Sequence, residues 1–580
     1  MSTKIYYDGE CPFCARYVGL LRLQEVAGPV ELVDLREQTR IKDELQNSGF
    51  DLDKGMVVEM LGQRVGGADA ISQIALMTTP STPFNKLTKF AFSSPKASKV
   101  LYPILTMGRW IVLFLLGRDP LNPNSDEGPR ARAAIFSSMF GLFSIFHFFT
   151  YILQYGFFPP DWDLLFILIT AIFLLIRPQS SRLLWLLMLA SAISAIQQAP
   201  VNSNHTIVRN FVVLGYWISF FYAVFKRLRP LDIFSNFAIA GQGTLFVMYF
   251  FGVFHKINRD FLNPDTSCAV LLWRKMPAPL KYLDTSWMHY LAIYGTFIVE
   301  GLLVVMLMSR RFRHIAIVCG ILFHLLLALS NHAMYITFTT LTISLHCLFL
   351  NEPGALRIQN SEFMAGIKAR IKNPIHFAFG VMLILALVFA ALNREYALVT
   401  IFMLPIVLPF CYVIMRYGSS TEPLIQLKNK RPAWIIGSVL TGLFFINCSM
   451  PYMGLKSAQS VNMFANLRLE GGVSNHLIMK NAPGPFKYLE EYVEITDSHG
   501  NRFLSFFTFP DRAMIYYDLL SYLDNNPEAS VSYTKDGVSY VDVTSKDVAE
   551  DIETQLHPKW FRKWFHFQIV NLQDPEQCWN

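Results

Sequence analysis

Apolar and polar positions follow two different patterns along this 580-residue chain. Over residues 1 to about 80, short apolar runs alternate with amphipathic segments, and this alternation predicts a small α/β domain. Its strands are expected at Lys4–Tyr7, Val30–Val33, Met56–Met60 and Arg64–Gly66, and its helices at Cys14–Val26, Gln38–Ser48 and Asp69–Leu76.

The next stretch, Lys86–Arg118, is helical in pattern and only partly apolar. Pro103 interrupts it, and Arg109 lies inside its most apolar window. A charged residue in such a window favours an interfacial or docking helix, with a membrane span as the alternative. A loop rich in Pro, Asn and Gly, Asp119–Gly128, then separates this helix from the rest of the chain.

Between Ala134 and Cys448 the pattern changes to long apolar windows, some shorter than the ~20 residues of an untilted membrane span. Eleven windows centre near Leu142, Ile169, Met188, Leu214, Leu245, Phe297, Ile321, Ile343, Leu383, Leu404 and Thr441. The pattern therefore predicts a polytopic α-helical membrane protein with about 11 spans.

After Cys448 the chain becomes polar, with strand-like runs at Leu489–Thr496, Phe503–Thr508, Ala529–Tyr533 and Tyr540–Val543. These runs predict a β-rich C-terminal domain. The expected organisation is an α/β domain over residues 1–118, a transmembrane domain over residues 130–450 and a C-terminal domain over residues 451–580.

Composition agrees with the membrane class. Only 16% of the residues are charged, against roughly 25% in soluble domains. The net charge of +7 lies mostly in short clusters such as Lys226–Arg229 and Arg310–Arg313, which carry topology information, and no nucleic-acid partner is indicated. Basic loops alternate with loops poor in Lys and Arg, and Met1–Tyr7 lacks the apolar core of a signal peptide. The N-terminus is therefore predicted to be cytoplasmic and the C-terminus extracytoplasmic.

Candidate redox chemistry lies in Asp8-Gly9-Glu10-Cys11-Pro12-Phe13-Cys14, which follows the first predicted strand and opens the first predicted helix. A helix N-terminus stabilises a thiolate, and the second cysteine of a C-x-x-C turn can resolve a mixed disulfide formed by the first. The alternatives are two inert thiols or half of a metal knuckle, but no second C-x-x-C completes a zinc site, and no metal is predicted. The six other cysteines are scattered singly, which argues against a disulfide scaffold.

The motif Tyr-Asp-Gly-x-Cys-x-x-Cys, with Gly-Gly-Ala-Asp-Ala at Gly66–Ala70 downstream, resembles the DCC (DUF393) family of thiol-disulfide oxidoreductases. The resemblance covers roughly the first 118 residues. It implies a thioredoxin-like fold and oxidoreductase activity, without implying a substrate.

Lys256 lies where a predicted span meets water, so it is either a membrane anchor or, if held in apolar surroundings, a base. Other polar groups in the apolar region are His205, Glu300, His324 and Asn331. Each has a bland structural explanation, such as a histidine bonded to a carbonyl or a capping asparagine. The predicted topology nevertheless places Lys256, His205, His324 and Asn331 so that they could line one outward-facing cavity, with Glu300 near mid-depth.

A second resemblance rests on an ordered series of segments: Asn204-His205-Thr206, Tyr249–Leu262, Glu300 in Ile-Val-Glu-Gly, Phe323-His324, Ser330-Asn331 and Asn462–Leu467. In order and spacing they resemble the vitamin K-dependent γ-glutamyl carboxylase family and its bacterial HTTM relatives, over about residues 130 to 470. The resemblance implies Lys256 as the base that deprotonates a reduced quinone, assisted by His205 and His324, with Asn204, Glu300 and Asn331 on the substrate side. It further implies O2 and CO2 as co-substrates, a glutamate-containing peptide or protein as partner, and a bacterial inner membrane as the location.

Three functions compete on this basis. The first is a carboxylase-like membrane enzyme that uses a reduced quinone, and the second is a membrane-tethered thiol-disulfide oxidoreductase in which Cys11 attacks and Cys14 resolves. The third is a binding or transport scaffold without catalysis. Coupling of the cysteine pair to the quinone site is opposed by the predicted topology, which places the two on opposite faces of a ~30 Å hydrocarbon layer.

Overall fold

The computed structural model describes residues 3–11, 14, 30–52, 55–77, 83–118, 121, 127–155, 161–199, 203–228, 230–371, 373–418 and 430–578. These residues form two compact units. The first comprises residues 1–130, 180–182 and 218–234, and the second comprises residues 131–179, 183–217 and 235–580.

A four-stranded sheet organises the first unit, in the order β2-β1-β3-β4. Its strands are β1 Thr3–Tyr7, β2 Val30–Asp34, β3 Val57–Met60 and β4 Gln63–Gly66, close to the predicted positions. β1 pairs in parallel with β2 and antiparallel with β3, so that Ile5 lies opposite both Leu32 and Val58. A parallel pair requires a crossover, and the segment between β1 and β2 supplies it. The helix predicted at Cys14–Val26 falls in that segment, and its residues other than Cys14 lie outside the described residues.

The described residues of the α/β part also form four helices: α1 Thr39–Asn47, α2 Gly67–Met77, α3 Pro83–Phe92 and α4 Pro95–Leu116. The core beneath them contains Ile5, Val58 and Ile74 together with both cysteines of the C-x-x-C pair. Tyr102 and Leu113 of α4 pack against this same cluster. The stretch predicted as an interfacial or docking helix therefore packs directly on the α/β domain.

Helices dominate the remainder, and all eleven predicted apolar windows are centred within helices. These are α5 Glu127–Tyr155, α6 Trp162–Ile176, α7 Ser181–Gln198, α8 Asn204–Lys226, α9 Pro230–Phe254, α12 Ser286–Met308, α13 Arg313–Ala328, α14 Ala333–Cys347, α17 Pro374–Leu392, α18 Tyr396–Tyr417 and α19 Lys430–Ser449. Short helices between them are α10 Arg259–Leu262, α11 Cys268–Arg274, α15 Glu352–Gln359 and α16 Glu362–Ile371.

Fewer helices than windows have the length and apolarity of a membrane span. Among the described residues six qualify: Pro95–Leu116, Glu127–Tyr151, Asn204–Lys226, Pro230–Phe254, Ser286–Met308 and Arg431–Met453. A seventh is added if Tyr396–Pro405 and Val407–Tyr417, bent by 43°, are taken together. Trp162–Ile176 and Arg313–Ala328 are apolar but shorter than the ~20 residues of an untilted span. The chain is thus a largely helical membrane protein with about six candidate spans.

A five-stranded antiparallel sheet lies in the C-terminal part, in the order β8-β7-β5-β6-β9. Its strands are β5 Tyr492–Asp497, β6 Arg512–Ile515, β7 Val531–Lys535, β8 Val538–Val543 and β9 Val570–Asn571, and its helices are α20 Tyr516–Asn525, α21 Ala549–Gln555 and α22 Lys559–Arg562. The strand predicted at Phe503–Thr508 is wrong, because Leu504–Phe507 forms a 3₁₀ turn. The Asn501 side chain accepts hydrogen bonds from the backbone N–H groups of Phe503 and Leu504, which favours a turn over a strand.

One disulfide joins Cys268, at the start of α11, to Cys578, which follows 310 residues later. Cys268 packs in an apolar cluster with Phe261 and Ile293, and Cys578 borders that cluster. The single, scattered cysteines gave no sign of this pair. Spacing along the chain cannot reveal it, because only the fold brings the two thiols together.

Candidate functional site

The cysteine pair follows β1 in the first unit, and both side chains are buried against the sheet. The Cys11 N–H donates to the Asp8 carbonyl, which closes a turn directly after the strand. The Cys14 N–H donates to Cys11 Sγ over 3.2 Å. A backbone donor directed at the first sulfur stabilises it as a thiolate.

Asp8 organises the charges beside the pair. Its buried carboxylate accepts from Arg36 Nε at 2.9 Å and from Arg109 Nη2 at 3.0 Å. Arg109, from α4, also donates a hydrogen bond to Cys11. The charged residue that interrupts an apolar window in the sequence thus neutralises Asp8 and supplies a cation to the thiol site.

Gly9 permits the close approach of a second carboxylate. The Gly9 N–H donates to Asp34 Oδ1 at 3.0 Å, and a Cβ at position 9 would lie 1.7 Å from Asp34 Oδ2. Asp34 ends β2 and also accepts the Arg36 N–H at 2.8 Å, so the turn after β1 is tied to the turn after β2. This contact explains why Asp8-Gly9 precedes the cysteines.

These contacts separate the two thiols chemically. The hydrogen bond from Cys14 lowers the pKa of Cys11 to about 6, and the charge of Arg109 lowers it further against the opposing effect of burial. The pKa of Cys14 is raised, because its proton is held in the hydrogen bond to Cys11 and because it is buried. With a pKa of about 6, Cys11 is about nine-tenths thiolate at pH 7, while Cys14 keeps its proton.

Replacing Arg109 with methionine is expected to raise the pKa of Cys11 by roughly 1 to 3 pH units, because a cation that favours the thiolate is lost. The difference in ultraviolet thiolate absorbance between the variant and the same variant with Cys11→Ser gives the titration midpoint. Arg64→Met is the matched control, since Arg64 pairs with Glu59 and Glu44 in the same domain. An unchanged midpoint in Arg109→Met would show that Arg109 does not act on the thiol.

A second candidate site is a cavity of about 290 Å³ inside the second unit. Its polar lining includes Asn204 and His205 of α8, Tyr249 of α9, Lys256 in the turn after α9, Glu300 of α12 and His324 of α13. The remaining walls are largely apolar and include Trp273, Met276, Met288, Phe338 and Phe464. Such a space suits an apolar molecule with a small polar group.

Lys256 and Glu300 form a buried ion pair in this cavity. Lys256 Nζ lies 2.8 Å from both Glu300 carboxylate oxygens, and the two residues are 9% and 7% exposed. Gly252, one turn before Lys256, leaves room for the carboxylate, since a Cβ there would lie 3.1 Å from Glu300 Oε2. Lys256 is therefore not a surface anchor. Glu300, predicted near mid-depth and on the substrate side, lines the same cavity as Lys256.

His324, Tyr249 and His346 are linked by hydrogen bonds. The donor and acceptor of each bond follow from the protonation of His346. His346 Nδ1 lies 2.7 Å from the Thr342 carbonyl oxygen, and because a carbonyl only accepts, Nδ1 carries the proton. With His346 neutral, its Nε2 accepts from the Tyr249 hydroxyl at 3.2 Å, and the Tyr249 oxygen accepts from His324 Nε2 at 2.9 Å. His324 then carries its proton on Nε2, and its Nδ1 is a buried acceptor that has no partner in the described part of the chain.

Tyr249→Phe is expected to release this constraint, so that His324 becomes a mixture of its two neutral tautomers. Nitrogen-15 spectra of histidine-labelled protein distinguish a protonated from a bare imidazole nitrogen, and His324→Gln assigns the signals. Tyr216→Phe is the matched control, because Tyr216 is equally buried and packs on Phe237. If His324 carries its proton on Nδ1 in the unmodified protein, then His324 does not donate to Tyr249, and the assigned donors and acceptors are wrong.

The remaining predicted residues differ in position. His205 borders the cavity with Nδ1 2.9 Å from Ser203 Oγ, and Asn204 uses its side-chain oxygen to accept the Val461 N–H at 2.8 Å. Asn331 does not line the cavity; it has a positive φ of 53°, and its side-chain oxygen accepts the Ala397 N–H at 3.0 Å. The prediction of Asn331 as a cavity residue is therefore wrong, because it holds a turn between helices.

Sequence reasoning missed the residues that support both sites: Asp8 and Arg109 beside the thiols, and Tyr249 and His346 behind His324. Arg109 was the most detectable, because a lone charge in an apolar helix must find a partner. Tyr249 and His346 gave no such signal, since a tyrosine or histidine at a helical position is ordinarily a packing residue.

An α/β domain with a buried cysteine pair, followed by long apolar helices, defines a membrane protein that carries a thiol-based redox domain. Residues 5–112 match the DCC1-like thiol-disulfide oxidoreductase family, which confirms the resemblance of the N-terminal part. No match was found among curated proteins. None was found among solved structures either.

Proposed function

We propose that this protein is a membrane-tethered thiol-disulfide oxidoreductase. The observation that supports this most directly is the buried Cys11–Cys14 pair beside Arg109 and Asp8, within the segment that matches the oxidoreductase family. The apolar helices serve to keep this domain at a membrane.

The reaction proceeds in two exchanges. The Cys11 thiolate attacks one sulfur of a substrate disulfide, which forms a mixed disulfide and releases the other substrate sulfur as a thiolate. Cys14 then gives up its proton and attacks Cys11, which closes the Cys11–Cys14 disulfide and releases the second substrate thiol. The substrate gains two electrons, and a thiol or dithiol reductant returns them to the pair.

A redox titration of the full-length protein against glutathione or dithiothreitol buffers tests this proposal. Mass spectrometry after alkylation counts the free thiols at each potential. We expect a reversible two-electron transition in the peptide that carries Cys11 and Cys14, counted separately from any reduction of the Cys268–Cys578 disulfide. A pair that never forms a disulfide would exclude the function.

The cavity supports a second candidate, a carboxylase-like enzyme that uses a reduced quinone, O2 and CO2 to carboxylate a peptidyl glutamate. The observation in its favour is Lys256 held by Glu300 in a largely apolar space with His205 and His324 on the walls. Transfer of a proton from Lys256 to Glu300 would leave a neutral amine that can deprotonate a hydroquinone, without moving net charge into the cavity. Undiminished quinone epoxidation in Lys256→Ala membranes would exclude this candidate.

We also propose how the chain is arranged in the membrane. It crosses a bacterial inner membrane about eleven times, with its N-terminus in the cytoplasm and its C-terminal domain outside. The Cys268–Cys578 disulfide supports an outer position for the C-terminal part, because disulfides persist in oxidising compartments. If the cysteine pair supplies electrons to a quinone in the cavity, replacing both Cys11 and Cys14 must change quinone turnover. Unchanged turnover would make the two sites independent.

A further inference from the structure

Helix α4 presents two opposite faces to different surroundings. Its inward stripe consists of Ser98, Tyr102, Thr106, Arg109 and Leu113, spaced four, four, three and four residues apart, and packs toward the α/β domain. Its outward stripe, Val100, Ile104, Met107, Ile111 and Leu115, follows the same helical spacing and is apolar and exposed. Four of the five outward positions follow an inward position by two residues, so the two stripes lie on nearly opposite sides of the helix.

The preceding helix, α3, contacts α4 and also carries exposed apolar residues. Leu87 and Phe90 of α3, one turn apart, are 66% and 86% exposed. An apolar surface of this extent on two adjoining helices is unusual for a face that meets water. We define it, together with the outward stripe of α4, as the apolar seat.

Arg109 argues against a membrane crossing by α4, although the helix is long and apolar enough to cross. Its guanidinium is buried against Asp8 of the α/β domain, 101 residues earlier in the chain, at 3.0 Å. A helix fixed along its length to a domain that carries Lys, Arg and Glu on its surface cannot place its middle at the centre of a bilayer.

The apolar seat is nevertheless at membrane level. Trp110 and Phe114 of α4 make edge-to-face contacts with Phe220, with ring centroids 5.9 and 5.7 Å from that of Phe220, within the same compact unit. Phe220 lies six residues inside the candidate span Asn204–Lys226, which is about 9 Å from its end. The Trp110 indole donates to the Leu228 carbonyl just beyond that end. α4 therefore lies where a span reaches the membrane surface.

The basic charge of residues 83–118 indicates what kind of surface contacts the apolar seat. Residues 83–118 contain four lysines, two arginines and no aspartate or glutamate. Lys86, Lys96 and Lys99 are exposed around the junction of α3 and α4. An apolar face bordered by exposed lysines fits the acyl chains and anionic headgroups of a lipid leaflet.

We infer that α3 and α4 form an interfacial lipid-binding surface, which holds the redox domain on the membrane with the apolar seat in the leaflet and Arg109 at the thiols. The same helix thus contacts lipid on one face and Cys11 on the other. This inference does not require the cysteine pair to be active, so it stands or falls separately from the proposed redox function.

Photo-crosslinking in nanodiscs tests it on the intact chain. Benzoylphenylalanine is placed at Ile104 in the apolar seat or at Leu61, an exposed apolar residue of the β3–β4 hairpin, as the matched control. In phosphatidylcholine discs with one-fifth phosphatidylglycerol, we expect lipid adducts at Ile104 at least several-fold above Leu61, enriched in phosphatidylglycerol. Equal adducts at both positions, or adducts at Ile104 only to protein, would overturn the inference.

Labelling in vesicles of known sidedness separates a surface helix from a span. Ser94→Cys and Arg118→Cys place a thiol at either end of α4, and the unmodified chain measures the background from its own thiols. A membrane-impermeant maleimide is expected to reach both new cysteines from the same face. Labelling of the two ends from opposite faces would show that α4 crosses the membrane and would overturn the inference.

Discussion

Replacement of Cys11 with serine is expected to lower the rate of thiol-disulfide exchange by several orders of magnitude, because the attacking thiolate is lost. Cys14→Ser is expected to have a different outcome. Cys11 can still attack, but no neighbouring thiol resolves the product, so a mixed disulfide with the substrate accumulates. Mass spectrometry of the protein after incubation with a disulfide-linked peptide distinguishes the two variants.

Cys319→Ser is the matched control for this experiment, because Cys319 is a free, exposed cysteine of helix α13. It should exchange at the unmodified rate. A Cys11→Ser variant that retains full exchange would show that the activity lies elsewhere. A Cys14→Ser variant that forms no adduct would reverse the assigned roles of the two sulfurs.

The same exchange should depend on pH in a defined direction. The pKa of Cys11 is lowered to about 6, so the reactive thiolate is present above pH 6 and is lost as the pH falls through that value. For the same reason Cys11 stabilises the reduced domain most above about pH 8.5, where an unfolded thiol is also ionised, and this contribution is lost progressively as the pH falls from about 8.5 through 6.

The second large effect is expected at the buried ion pair. Glu300→Gln leaves Lys256 charged and without its counter-ion in a largely apolar cavity, and breaking such a pair from one side typically costs 3–5 kcal/mol. Lys256→Met is expected to destabilise the protein similarly through the stranded carboxylate. The double variant Lys256→Met/Glu300→Gln should regain much of the loss, because neither charge remains.

Thermal unfolding of the purified protein in one detergent, across the four members of this cycle, measures the coupling. Asp284→Asn is the matched control, since Asp284 pairs with Arg274 and His289 at an exposed position, where ion pairs contribute little. If the two single losses simply add in the double variant, the residues are not coupled as the structure indicates.

Local patterns determined much of the architecture from sequence. The strands of the first sheet lie within a residue or two of their predicted positions, because alternation and turn residues act over short distances. All eleven apolar windows are helical for the same reason. There are more apolar windows than candidate spans. The pattern identifies an apolar helix, but it does not show whether neighbouring helices or lipid cover that helix.

The candidate sites divide in the same way. The Cys-x-x-Cys motif after a strand was sufficient to predict a redox pair, and Lys256, His205 and His324 were singled out as polar residues in apolar surroundings. Asn331 was selected by the same criterion but belongs to a turn, because polarity within an apolar stretch does not show which way a side chain points.

Taken alone, the sequence determined the α/β domain, the positions of the apolar helices and the residue types that carry chemistry, all of which are encoded within a few turns of chain. Only the tertiary structure decided their partners: Arg109 with Asp8 across 101 residues, Lys256 with Glu300 across 44, and Cys268 with Cys578 across 310. Such pairings depend on how helices and strands pack in three dimensions, and no spacing along the chain specifies that.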